Sequence, residues 1–198
     1  LIFEELMINA LKASRKVHLS QNLDLIYSKP YMQLLSFTLS AFRILDLHKS
    51  NPLELYTKDL FQGISVKKYL QEIEAFKGKP GSGNLAMFLA INLIHKQKYL
   101  NISINNDLDN WVDLHIKNIN SNGFWGSSIS NPYLQFQNGY HQYEILEYLN
   151  NNDIPWSKAA DFVIKLADKS GRFAPYPGGG GCYDYDAVFI LTTKTIDS

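Results

Sequence analysis

Carboxylates, an imidazole and aromatic rings gather in two short stretches of the chain. In Tyr183-Asp184-Tyr185-Asp186-Ala187 two acids stand two residues apart at the head of an apolar run. There they can serve as a general acid, a catalytic pair or cation ligands. Two residues apart on a helix do not share a face, so one of them points inward at most. An acid in a first turn is also stabilised simply by the positive end of the helix dipole. In Tyr140-His141-Gln142-Tyr143-Glu144 the histidine and glutamate are three apart, hence neighbours on one helical face. An imidazole beside a carboxylate makes a base with its orienting partner; the plainer role is a hydrogen-bond network that positions segment 131–138. Asp184, Asp186, His141 and Glu144 are therefore the candidate catalytic residues.

Trp125, Tyr133, Phe136, Tyr140, Tyr176 and Tyr183 fall on predicted loops and helix starts. Gathered at one end of a helical stack, they would stack on sugars or face a carbocation; aromatics this frequent also simply fill cores. Trp111 and Trp156 lie inside predicted helices and read as structural. The run Ala174-Pro175-Tyr176-Pro177-Gly178-Gly179-Gly180-Gly181 lets backbone amides approach an anion such as a diphosphate, with Arg172 as its ionic partner. No Lys-Ser/Thr follows, which excludes a P-loop. The plainer reading is a flexible crossover that Arg172 braces. Candidate substrate contacts are thus Trp125, Tyr133, Tyr140, Arg172, Tyr176 and Tyr183. Cys182 is the single cysteine, which excludes an internal disulfide. With Asp184 and His141 it would make a zinc site if the repeat brought the three together; the expectation is a lone small buried thiol. Nothing in the sequence asks for a metal or cofactor.

Charge narrows the partners. Lys+Arg and Asp+Glu both number 19, and this zero balance lacks the basic stripe that nucleic-acid binding requires. Apolar stretches such as 85–89 fall far short of the ~18 residues of a membrane span. Glu4 and Glu5 stand where a signal peptide would be basic, so cytoplasm is the default expectation. With 45% hydrophobic residues the chain can bury a sizeable core. It starts without Met and ends just after an apolar run, which predicts a fragment.

The elements that must hold these residues are helical. Phe3, Leu6, Met7, Ala10 and Leu11 form one stripe, and Pro30 opens a second helix through Leu47. Shorter helices are predicted over 53–62 and 65–77, separated by Gly63. The break 78–83 follows, then a helix over 84–94 capped by Asn84. Further helices fit 107–118, 139–149, 155–168 and 183–191, and no convincing period-two strand is present. Helices with a polar side (65–77, 107–118, 155–168) alternate with helices apolar around most of their surface (31–47, 84–94, 139–149, 183–191). This alternation predicts stacked αα-hairpins in one all-α domain over 1–198, with the clearest repeats at 107–149 and 155–191. Asn122-Gly123-Phe124-Trp125 pairs with Ser170-Gly171-Arg172-Phe173. Tyr143 pairs with Tyr185, and Glu144 with Asp186, at a spacing of 42 residues.

Outer helix, Gly-aromatic turn, loop and inner helix together resemble the α/α toroid of terpenoid cyclases and protein prenyltransferases over residues 65–191. The resemblance rests on Asn122-Gly123-Phe124-Trp125-Gly126 and on Asp184-Tyr185-Asp186-Ala187-Val188. It implies a cavity lined by inner-helix N-termini, with Asp184 as the proton donor and aromatics shielding an isoprenoid or other hydrophobic small molecule. Other α/α barrels, glycoside hydrolases and polysaccharide lyases among them, share the layout and imply paired acids acting on a glycan substrate. A helical scaffold without chemistry is the third expectation. The chain is expected to form part or all of a toroid. An incomplete ring would expose apolar faces, predicting self-association or a companion domain.

Overall fold

Backbone geometry follows the helical period. In the computed structural model, which describes residues 2–21, 24–47, 53–127, 131–176 and 180–193, the described residues form α-helices joined by turns and short 3-10 segments, with no strand. The helices are α1 (Ile2–Ser20), α2 (Lys29–Ile44), α3 (Glu54–Thr57), α4 (Val66–Glu72), α5 (Ser82–Tyr99), α6 (Asp107–Lys117), α7 (Pro132–Tyr148), α8 (Trp156–Val163) and α9 (Cys182–Thr192). None of the described helices is long and apolar enough to cross a membrane. The chain divides into two compact units: Leu1–Tyr69 with Asn84–Trp111, and Leu70–Gly83 with Val112–Ser198.

In the first unit Ser28 caps α2 through the Tyr31 amide, and proline at the second helical position costs no hydrogen bond. Tyr31, Met32, Leu35, Leu39 and Phe42 recur at helical spacing and are buried with Leu11 and Ile26. The Tyr69 hydroxyl donates to the Ile26 carbonyl at 2.7 Å, and Trp111 Nε1 to that of Ala86 at 3.0 Å. The helices are shorter than predicted wherever a left-handed residue intervenes. Asp46 follows the end of α2, Phe61 falls in the predicted helix 53–62, and Glu74 ends the one over 65–77. The predicted stripe of α1 is mostly uncovered: Leu11 is its only buried residue among those described.

The second unit has an aromatic core of Phe124, Trp125, Phe136, Tyr143 and Trp156. The Tyr143 hydroxyl donates to the Gly123 carbonyl at 2.7 Å, and Tyr143 meets Trp156 edge-on at 4.8 Å. α9 packs on α7 and α8. Two turns of this unit share one hydrogen-bond pattern. At the first, Asn120 N donates to Phe124 O (2.7 Å) and Gly123 N to Asn120 O (3.1 Å). The Asn120 Oδ1 accepts from the amides of Asn122 and Phe124. At the second, Asp168 N donates to Arg172 O (2.8 Å) and Gly171 N to Asp168 O (2.9 Å). Asp168 Oδ1 accepts from the amides of Ser170 and Arg172. Gly123 and Gly171 sit at φ +83° and +78°, the left-handed conformation the turn requires and glycine adopts without strain. The two turns are 48 residues apart, as paired in the sequence, whereas Tyr143 and Tyr185 are 42 apart.

The helix starts account for that difference. Asn131 caps α7 by accepting from Tyr133 and Leu134, and Pro132 takes its first position. The helix therefore begins seven residues before the predicted Gly139 and absorbs the supposed loop 131–138. Tyr143 consequently lies deep inside α7, whereas Tyr185 is the fourth residue of α9. α5 likewise starts at Ser82 instead of being capped by Asn84. Asn138 and Gln142, polar but buried, hold the first residues of α5. Gly83 N donates to Asn138 Oδ1 (3.2 Å), Asn138 Nδ2 to Lys79 O (3.1 Å) and Gln142 Nε2 to Gly83 O (2.9 Å).

Candidate functional site

Where α7 and α9 meet, the side chains singled out for chemistry converge. Asp186 follows Asp184 by two, and helical geometry sends the two apart. Asp184 turns to the preceding loop: Oδ1 accepts from the Phe173 amide at 2.9 Å, and Oδ2 lies 3.9 Å from Arg172 Nη1. Both groups crowd Gly180, where an added Cβ would stand 2.7 Å from Arg172 Nη1 and 3.0 Å from Asp184 Oδ2. Asp184 thus ties the first turn of α9 to the Phe173 backbone and the Arg172 side chain. The anion-binding expectation for the glycine run rests partly on Pro177, Gly178 and Gly179, which lie outside the described residues.

Asp186 faces the other way and is 6% exposed. Burial disfavours its charged form, and the nearby Glu144 carboxylate disfavours it further, so its pKa is pushed up to about 7. Tyr140 and Glu144, four apart on α7, share a face, and the Tyr140 hydroxyl donates to the Glu144 carboxylate. Burial foremost, then that bond and the charges of Glu144 and Asp186, holds the Tyr140 phenol far above its ordinary range. His141 Nδ1 lies 3.6 Å from Glu144 Oε2, within ion-pair reach. Rings complete the surroundings: Tyr140 meets Tyr185 at 6.2 Å and Phe189 at 5.5 Å, both edge-on, and Phe189 lies 6.1 Å from Trp156. Tyr185 is exposed, and Glu144 and His141 are partly so, whereas Asp186 is buried.

The structure thus brings together His141, Glu144, Asp186 and Tyr140, and places the other candidates elsewhere. His141 and Glu144 stand in the middle of α7, not at a helix N-terminus as predicted. Trp125 is buried, its Nε1 donating to the His115 carbonyl at 2.8 Å, so it has a packing role instead of the expected substrate contact. The Tyr133 hydroxyl donates to the Leu166 carbonyl at 2.9 Å and ties α7 to the segment after α8. Tyr176 and Tyr183 meet edge-on at 6.4 Å, with Tyr176 exposed. Cys182 is exposed, correcting the expected buried thiol, because it opens α9 before the helix reaches the core. Among the described residues no group of three or more His, Cys, Asp and Glu side chains is placed to hold a metal ion.

Sequence reasoning missed the hydroxyl of Tyr140 and the rings of Tyr185 and Phe189 as neighbours of a carboxyl. The four-residue spacing of Tyr140 and Glu144 was the available signal for the first. A pair of neighbouring carboxyls, one titrating near neutrality and the other bonded by a phenol, can give a proton to a leaving group and receive one from water. Compared with known proteins, the chain matches no family model, no curated protein and no solved structure.

Proposed function

We propose that the second unit carries a general acid–base site acting on a glycan, with Asp186 as the acid and Glu144 as the partner carboxylate, on a scaffold of α/α-barrel type. The observation that carries this reading is the buried Asp186 carboxyl, its pKa raised to about 7 beside Glu144. Such a group keeps a proton near neutral pH and is well matched to a glycosidic oxygen, which needs help only as its bond to carbon breaks. Asp186 then protonates the leaving oxygen, the C–O bond breaks, and Glu144 takes the proton of the water that attacks the sugar carbon. Tyr185 offers an exposed ring on which a sugar can stack. The scaffold reading is supported by the two turns of matching hydrogen bonds, each following a helix with one buried face and leading on to a further helix.

A second reading, closer to the terpenoid-cyclase resemblance, takes a hydrophobic isoprenoid as substrate and is favoured by the rings of Tyr140, Tyr185 and Phe189. It asks for an acid strong enough to protonate an alkene, and a carboxyl with a pKa near 7 is a weak acid. Asp184, the residue the resemblance makes the donor, already accepts a backbone amide and lies beside a guanidinium.

The test is an activity screen of the whole chain on neutral and acidic oligosaccharides, with thermal shift against isoprenoid diphosphates in parallel. Glycan turnover is expected to decline as pH rises through about 7, where Asp186 loses its proton, and to fall on the order of 10²–10⁴-fold in Asp186→Asn. Stabilisation by isoprenoids with none by oligosaccharides would transfer the site to the second reading. No response to either class would leave a scaffold as the better description.

A further inference from the structure

The first unit holds a feature that the acid–base site does not use. α1 places Lys12, Arg15 and Lys16 three and four residues apart, on one side of the helix. With Leu19, Ser20 and Tyr56 they line an open groove of about 580 Å³, a volume suited to a small molecule. Arg15 is fixed in place: Nη1 donates to the Leu55 carbonyl at 2.8 Å, and its guanidinium lies 5.7 Å from the Tyr56 ring centre. Lys12 and Lys16 are exposed and form no ion pair with a carboxylate among the described residues. Three cations on little more than one helical turn repel one another, and no described acid neutralises them. Tyr31, fully buried in the same unit, carries a hydroxyl without a hydrogen-bond partner among the described residues, and the fields of Arg15 and Tyr56 reach it. Tyr56 and Leu19 give the groove an apolar wall beside its positive edge.

We propose that this groove binds an organic phosphate, its dianion held by Lys12, Arg15 and Lys16 and its apolar body laid against Tyr56 and Leu19. A dianion supplies the missing counter-charge, and the aromatic wall favours a ring or hydrocarbon over a bare ion.

The test is calorimetric titration of the whole chain with phenyl phosphate at low salt, with inorganic phosphate run alongside. Saturable binding is expected, tighter for phenyl phosphate, weakened by added salt and weakened at least about tenfold in Lys12→Gln/Lys16→Gln, a loss of roughly 1.4 kcal/mol. Both lysines are exposed, so the double variant should keep the parent's melting curve. Absence of saturable binding, or equal affinity in the parent and the double variant, would overturn the site. Equal affinity for the two phosphates would remove the apolar wall from it. Binding to phosphatidic acid vesicles without binding to phenyl phosphate would assign the cations to a membrane surface and likewise overturn the small-molecule site.

Discussion

Asp186→Asn is expected to make the protein more stable at pH 8 while flattening the dependence of its stability on pH. The folded carboxyl titrates at about 7 and an unfolded aspartate at about 3.9. Between those values the native state holds a proton that the unfolded chain has released. Stability therefore falls as pH rises through this window, is highest below about 4, and carries the whole loss above about 7. A shift of some three units corresponds to roughly 4 kcal/mol, and relaxation of the buried charge leaves about 2–4 kcal/mol. Asparagine has nearly the same shape and never ionises, so the variant escapes that loss. Urea unfolding of both proteins at pH 4.5 and 8 reads the effect as a difference between two pH dependences, in which titrating groups that do not interact with Asp186 cancel. Parallel pH dependences would show that Asp186 is not held protonated, and the acid assigned to the site would go with it. An activity lost alongside a stability gained is the signature of a group kept for chemistry.

Gly83→Ala is expected to be the most damaging small substitution in the second unit. Its Cβ would lie 2.2 Å from the Asn138 carbonyl oxygen and 2.6 Å from the Asn138 Cα, both backbone atoms of α7. No rotamer change relieves a contact with backbone, so the chain must separate there. The bonds from Gly83 to Asn138 and from Gln142 to Gly83 would break, leaving buried amides unpaired. A cost of about 3–5 kcal/mol is expected, against the roughly 1 kcal/mol by which alanine favours a helix over glycine. Gly63→Ala is the control. It has φ +71° and no atom within 4 Å of an added Cβ, so it carries backbone strain alone, about 1–2 kcal/mol. Denaturant midpoints for the two variants would refute the close approach if Gly83→Ala proved no worse than Gly63→Ala.

The same segment shows why the sequence was legible in part. Helical class followed from apolar spacing, and α2 and α9 were found almost in full because their apolar residues announce buried faces. The first seven residues of α7 were missed because Gln135 and Asn138 are polar. They occupy buried positions, where the surrounding amides satisfy them, and periodicity counts only apolar residues. The Asn-Pro at 131–132, a cap followed by a first-turn proline, was the signal that outweighed them. At the site, spacing paired His141 with Glu144 and separated Asp184 from Asp186. It could not tell which aspartate is buried, since that depends on how α9 is rotated against α7. The resemblance favoured Asp184, whereas packing turns Asp186 toward the carboxylate of Glu144.

The turn at Asn120 bears on how the protein ages. Asparagine followed by glycine, as at Asn122-Gly123, is the dipeptide most prone to deamidation in a flexible chain. The glycine nitrogen gives up its proton and attacks the side-chain carbonyl, a succinimide ring closes, and ammonia leaves. Here the Gly123 amide donates to the Asn120 carbonyl, and the Asn122 side chain donates to Gln135 Oε1 at 3.3 Å. The nucleophile and the group it would attack are held in separate bonds. Folded protein kept at alkaline pH should retain Asn122, while the same chain in urea loses it, a contrast that peptide mapping reads directly. A turn that ties α6 to α7 also protects the residue on which its own chemistry would otherwise fail.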